Sequence, residues 1–421
     1  MSIYLTFLFY AIPSFSLLIF IEMMVAKMRG MKINRSTDMI SSLSSGLTNT
    51  IKDAIKFGVI LVSYSSMVDS MTIYKLNPIW LAVLIAFVVE DFAGYWMHRL
   101  NHRVNIFWNR HVIHHSSEEF NLSCALRQSI STTFKFSAIL FIPAALLGIP
   151  AYIFAILGPI HLFMQFWYHT QLIGKMGILE YIIVTPSHHR VHHAINSVYL
   201  DKNYGQIFII WDKLFGSFQP ELDEVKPIYG ILRPAKTWNP ILINYKHLYQ
   251  LIKDAWHAER FIDKIKIWFM PTGWRPEDVS KKYPLKQIEN PSKLVKYDTR
   301  TSMSLSVWSW TQYILTVIMM LHMFTVVGDV APLMGYMYAL FLFIQIFSLT
   351  SLLDGRWYSI AAEVLKIGTA AFLLYSQQYS WYGINGVLIN LFLVYLAGSF
   401  IITYSFFNQS LKRMNTESYG V

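Results

Sequence analysis

The stretch "TPSHHRVHHAINSVYLDKNYG", residues 185–205, places four histidines within six positions, after a proline and ahead of a polar tail. Thr185 followed by Pro186 predicts a helix N-terminus, because proline fixes φ for the first turn and lacks an N–H that would go unpaired there. On that helix His189, His192 and His193 have HxxHH spacing, and positions i, i+3 and i+4 share one face. His111, His114 and His115 form a second HxxHH, and His98 and His102 stand one turn apart in "HRLNH". Nine of the fourteen histidines thus fall in three tight groups. One HxxHH arises by chance in roughly a few per cent of chains at this histidine frequency, so a pair of them is improbable.

Each group abuts the end of an apolar run. The chain has 421 residues, 54% hydrophobic and only 14% charged, where soluble domains carry about a quarter charged. It reads as an integral membrane protein. Residues 3–26 are long enough to cross a bilayer, with no basic region before them and no small-residue cleavage site after them, so they predict a first span and not a cleaved leader. Further apolar runs cover 54–74, 79–97, 305–327, 333–353, 358–376 and 382–404. Residues 134–168 predict a hairpin of two membrane-inserted segments turning at Gly148 and Pro150. If these segments cross in order, "KMRGMKINR", "HRLNHR", the histidines at 188–193 and Lys412-Arg413 share one side, and their positive charge makes it the cytoplasmic side. The expected setting is a multi-pass protein of a bacterial inner membrane or the endoplasmic reticulum.

Residues 245–269, "YKHLYQLIKDAWHAERFIDKIKIWF", alternate apolar and basic residues at helical spacing and predict a helix lying on the membrane surface, with a solvated connector helix as the alternative. The expected organisation is a membrane-embedded catalytic domain over 1–220, an interfacial segment over 221–304 and a C-terminal transmembrane block over 305–421. The net charge of +10 suits anionic lipid headgroups. No basic run interleaved with stacking aromatics sits on a soluble module, which argues against nucleic acid as a partner. Cys124 is the sole cysteine, so the chain forms no internal disulfide.

Imidazole binds zinc, copper, iron or nickel at neutral pH, and not magnesium or calcium. Eight or more clustered imidazoles exceed one coordination sphere, which points to two metals. No HExxH occurs, so a zinc protease of that kind is excluded. Neutral ligands leave the metal charge uncompensated, and nearby carboxylates would orient the rings and balance it. Asp91, seven residues before His98 and on nearly the same helical face, is a candidate, as are its neighbour Glu90, Asp212 and Tyr204. Asp201 follows the last cluster and is a further one.

HxxxH, then HxxHH, then HxxHH after a membrane hairpin resembles the fatty acid hydroxylase and sterol desaturase superfamily of integral membrane di-iron oxidoreductases. "EDFAGYWMHRLNH" (90–102), "TPSHHRVHHAINSVYLDKNYG", "WDKLFGSF" (211–218), "PTGWRP" (271–276) and the extra C-terminal spans resemble its alkylglycerol monooxygenase branch. The resemblance implies an all-α helical bundle with a histidine-rich di-iron site on the cytoplasmic side and a C-terminal block of four transmembrane helices. It implies metal ligation by His98, His102, His111, His114, His115, His189, His192 and His193. It also implies a ligand from "HLFMQFWYHTQ" (161–171), where His169 is favoured over Gln165 and His161; His188 lies outside the pattern. The implied chemistry takes two iron ions and dioxygen and inserts oxygen into a lipid C–H bond. On the branch reading the attacked carbon adjoins an ether oxygen, the lipid falls apart to fatty aldehyde and glycerol derivative, and tetrahydrobiopterin supplies electrons. Hydroxylation or desaturation of a sterol, fatty acyl, sphingoid or carotenoid substrate is the alternative within the superfamily. A metal transporter or a non-catalytic lipid-binding relative is the alternative outside it.

Overall fold

The computed structural model describes residues 3–418. Its long helices are α1 (Ile3–Met28), α4 (Ile79–Arg103), α14 (Met303–Val326), α15 (Pro332–Leu353), α16 (Tyr358–Ser376) and α17 (Val387–Ser418). Among the described residues these six are long and apolar enough to cross a membrane. Large apolar side chains such as Phe20, Leu84, Val364 and Leu391 stay exposed on them, as a lipid-facing surface requires. The expected run at 382–404 begins later, at Val387, because Gly383 and Gly386 at positive φ and the bridge between Trp381 and Ile384 hold a turn ahead of it.

The apolar run at 54–74 is not a helical span. It contains the short strand β1 (Val59–Ile60), paired parallel with β2 (Phe134–Lys135), and the eight-residue helix α3 (Tyr64–Met71). Gly58, at φ +139°, explains the break: a Cβ there would lie 3.0 Å from the Thr133 carbonyl oxygen. The segment runs along the hairpin at 134–168, with Ile73 and Leu76 donating to the carbonyls of Leu146 and Leu147. That hairpin is as expected, α7 (Ile142–Leu146) meeting α8 (Ala151–Phe166) around Gly148 at φ +61°. At 16 residues α8 spans about 24 Å, short of a hydrocarbon core of about 30 Å.

Helix α2 (Ser36–Ala54) is rich in Ser and Thr, yet most of it is buried. It packs against α14, α15 and the 3₁₀ turn Cys124–Leu126. Several of its polar side chains are tied to the next segment: Asp38 accepts from Arg127 Nη2 at 2.9 Å and from Ser117 at 2.7 Å, and Ser45 donates to the Gln128 carbonyl at 2.9 Å.

The surface helix expected over 245–269 is two helices, α11 (Pro240–His257) and α12 (Phe261–Phe269). Asn239 caps the first, its side chain accepting from Ile241 and Leu242. Lys264 donates to the carbonyls of Ala255 and Trp256, closing the end of α11. The remaining helices are short: α5 (Asn105–Trp108), α6 (Val112–His115), α9 (Pro186–His193), α10 (Ile210–Leu214) and α13 (Glu277–Lys282).

Helices α14–α17 share a core around Met320, Phe324, Phe341, Leu342 and Leu373. Inside it lies a buried ion pair, Lys366 Nζ to Glu363 at 2.8 Å, with Ser348 and Ser399 also donating to Glu363. Removing one member leaves the other charge uncompensated inside the bundle. Lys366→Met should therefore cost about 3–5 kcal/mol, while joint replacement of Glu363 and Lys366 by Leu should recover most of it. Thermal melting of the purified protein checks this; equal midpoints for the single and double variants would show the pair contributes nothing.

Candidate metal centre

The last turns of α4 bring His98 and His102 to the end of a spanning helix, and the chain then folds back through α5 and α6. Asn105 fixes that reversal, its side chain donating to the carbonyls of Ile267 and Trp274. His111 precedes α6, and His114 N–H bonds back to its carbonyl at 2.9 Å. Helix α9 starts at Pro186, as the Thr-Pro pair predicts. The Thr185 N–H points to His188 Nδ1 at 3.4 Å, so His188 caps the helix and turns away from the other rings.

Nine imidazoles from four chain segments converge in two groups. His98, His102, His111, His115 and His192 form one; His114, His169, His189 and His193 form the other, and within each group one ring nitrogen per residue lies within 4.8 Å of all the rest. His115 and His193 stack across the two groups with ring centroids 4.3 Å apart. His169 comes in as the favoured residue of its segment. Gln165 instead contacts Gln206 at 3.4 Å, and the His161 ring packs on Phe87 with centroids 4.7 Å apart.

Main-chain carbonyls decide which nitrogen faces the centre. His98 Nδ1 donates to Tyr204 O at 2.8 Å, His114 to Arg127 O at 3.2 Å, His169 to Gln165 O at 2.8 Å and His192 to Lys202 O at 2.9 Å. A carbonyl only accepts, so Nδ1 carries the proton and a neutral ring presents its Nε2 lone pair inward. His114 and His169 then turn two lone pairs on each other at 3.3 Å. Lone pairs repel, and a cation between them reconciles the geometry. The donor set therefore fits metal, and imidazole suits zinc, copper, iron and nickel. Burial pushes His114 and His169 down to about 3, with the neighbouring imidazole adding to the shift at His114. His111, His115, His189, His192 and His193 are driven well below their ordinary value by the same burial. These rings are neutral at pH 7, the ligating form.

The carboxylates sort by distance. Asp201 approaches His102 Nδ1 at 3.6 Å. Asp212 accepts from the N–H groups of Tyr204 and Gly205, both at 2.7 Å, and so holds the peptide whose carbonyl orients His98. Gly205 is required there, since a Cβ would stand 2.9 Å from Asp212 Oδ2 and 2.7 Å from Phe208 O. Asp91 is one step further out, accepting from Ile207, Phe208 and the Trp211 indole. Glu90 does not join them; it faces Gly158 of α8, because adjacent helix positions point in different directions. The Tyr204 ring lies 5.2 Å from that of His102, and its buried hydroxyl finds no partner among the described residues.

Sequence reasoning missed Asp38 and Arg127. The Arg127 carbonyl fixes His114, while its guanidinium is buried against Asp38, Ser42 and Ser116. The 3, 4, 4 spacing of Ile40, Leu43, Leu47 and Ile51 was the available signal for the helix that supplies Asp38.

A cavity of about 1120 Å³ opens over the histidines, with His102, His115, His192 and His193 on its floor and α11 along one wall.

The fatty acid hydroxylase family model matches residues 83–217. Human alkylglycerol monooxygenase is 33% identical over 365 residues, covering 85% of this chain and 80% of its own. The chain belongs to the alkylglycerol monooxygenase family. The Xenopus tropicalis alkylglycerol monooxygenase is 32% identical over 87% of this chain and 81% of its own length. The Danio rerio protein is 40% identical over 63% of this chain and 59% of its own. No solved structure matches the chain. The protein is thus a lipid-oxidising membrane enzyme of the hydroxylase and monooxygenase kind.

Proposed function

We propose that the enzyme is a di-iron monooxygenase that cleaves ether lipids of the alkylglycerol type, with its site facing the cytoplasm. The observation that carries this reading is the convergence of nine histidines into two adjacent groups beneath one cavity. The human relative extends the same reading beyond the motif region, since its similarity runs over 85% of this chain.

When bound, the two irons would activate dioxygen for attack on an unactivated C–H bond. His98, His102, His111, His115 and His192 would hold one iron, and His114, His169, His189 and His193 the other. The backbone carbonyls at 127, 165, 202 and 204 fix the ring orientations beforehand. Asp201 and Asp212 steady His102 and His98, and Asp91 braces the 207–211 turn behind them. The Tyr204 hydroxyl, buried and without a partner among the described residues, would be free to donate a hydrogen bond near His102. The net reaction consumes dioxygen, two electrons and two protons, releases water and leaves a hydroxyl on the carbon beside the ether oxygen. The hemiacetal then breaks its C–O bond to give a fatty aldehyde and the glycerol derivative. A two-electron reductant of the tetrahydropterin class would balance the step. A transport role fits less well, because transport ligands belong at mid-span, and His98 and His102 occupy the last turns of α4.

Incubation with ¹⁸O₂ and immediate reduction of the aldehyde to the alcohol tests the reading. One labelled oxygen in the fatty alcohol and none in the glycerol product is expected. An unlabelled, unsaturated lipid product would replace ether cleavage with desaturation.

A further inference from the structure

Helix α11 meets two different environments. Ile243, Lys246, His247 and Gln250 line the cavity over the histidines. On the outside, Leu242, Tyr245, Tyr249, Ile252 and Trp256 recur at steps of 3, 4, 3 and 4 and are all exposed, Trp256 by 81%. That spacing is one continuous stripe of a helix. Helix α12 extends the pattern with Phe261, Ile265 and Phe269, also exposed. In water such a surface would drive aggregation.

The position of the two helices says what covers the stripe. Spanning helix α4 ends at Arg103, and Asn105, two residues on, ties both surface helices to that point. Its N–H donates to Met270 O at 3.0 Å, and its carbonyl accepts from His247 Nε2 at 2.8 Å. Both helices are therefore held at the level where a membrane span emerges. Lys253, Arg260 and Lys266 are exposed along them against the exposed acid Glu259, whereas Asp254 is buried against Arg275. Exposed aromatic and aliphatic groups flanked by lysines match the interfacial layer of an anionic leaflet.

We propose that the outer face of α11 and α12 lies in the headgroup layer of an anionic bilayer, and that lipid reaches the cavity from this leaflet past α11. The loading route rests on the lipid-oxidising reading of the site; the membrane contact does not.

The test uses the full-length protein in vesicles of phosphatidylcholine and phosphatidylglycerol, with a nitroxide attached to single cysteines introduced at 245, 249, 252, 253, 256 or 259. Cys124 is buried and its thiol is pushed up to about 12 by that burial, so it stays unlabelled. Collisions with dissolved oxygen should exceed those with a water-soluble nickel chelate at 245, 249, 252 and 256, and the order should reverse at 253 and 259. Preferential nickel contact along the stripe would overturn the proposal. Protection from both reagents that grows with protein density would also overturn it, by making the face a contact between copies of the chain. Tyr249→Glu with Trp256→Glu should raise KM for vesicle-borne lipid about tenfold, as expected if about 1.4 kcal/mol of interfacial binding is lost. An unchanged KM would remove the loading route. Absence of lipid oxidation even in the unaltered protein would instead count against the ether-cleavage reading, leaving the collision profile to stand.

Discussion

His114→Ala and His192→Ala proteins, purified with iron supplied, should each lose metal and fall to background in lipid oxidation. The two residues belong to different groups, so each substitution strikes a different metal position. Loss of an outer partner of a ligand already costs about 10–100-fold in affinity or activity, and loss of the ligand itself exceeds that. The measurement is iron per chain by elemental analysis together with aldehyde release. His188→Ala serves as the contrast, because His188 caps α9 and contacts neither group; it should keep its metal. Full iron content in both His114→Ala and His192→Ala would overturn the assignment of the site.

The second large effect is expected at residues that are not themselves ligands. Arg127 and Asp38 are nearly inaccessible, 2% and 1% exposed, and meet at 2.9 Å. Arg127→Met leaves the Asp38 carboxylate buried with only hydroxyl partners, a cost of about 3–5 kcal/mol. The same change loosens the turn whose carbonyl orients His114, so metal affinity should fall with stability. Arg127→Met combined with Asp38→Leu removes both charges and should regain most of the thermal midpoint. A double variant no better than Arg127→Met alone would show that the hydrogen-bonded serines, and not the ion pair, hold the segment.

The histidine site was readable because metal ligation demands a rare residue at a fixed helical spacing, and that pattern survives without any knowledge of packing. His169 was harder to place, and its selection over Gln165 and His161 rested on family resemblance. Composition misled at 54–74, where apolar residues suggested a span but Gly58 and the pairing with β2 made a short irregular run. Asp91 was singled out by its seven-residue spacing from His98 and Glu90 only as its neighbour; about 100° of helix rotation separates them, and only Asp91 turns toward the site's supports. Helix α2 carried little signal as a span because its buried face is built from hydroxyls, and their partners lie some 80 residues away at Arg127 and Gln128.

The four carbonyls that seize the Nδ1 protons belong to the main chain, at residues 127, 165, 202 and 204. No side-chain replacement at those positions deletes the acceptor, so a systematic alanine survey would pass over the very atoms that aim the rings. Loss of an acceptor itself should appear when the local path of the polypeptide is altered, by a one-residue deletion in 201–204 or a proline forced into 126–128. At residues 165 and 202, tolerance to side-chain substitution would then coexist with an intolerance to insertions and deletions.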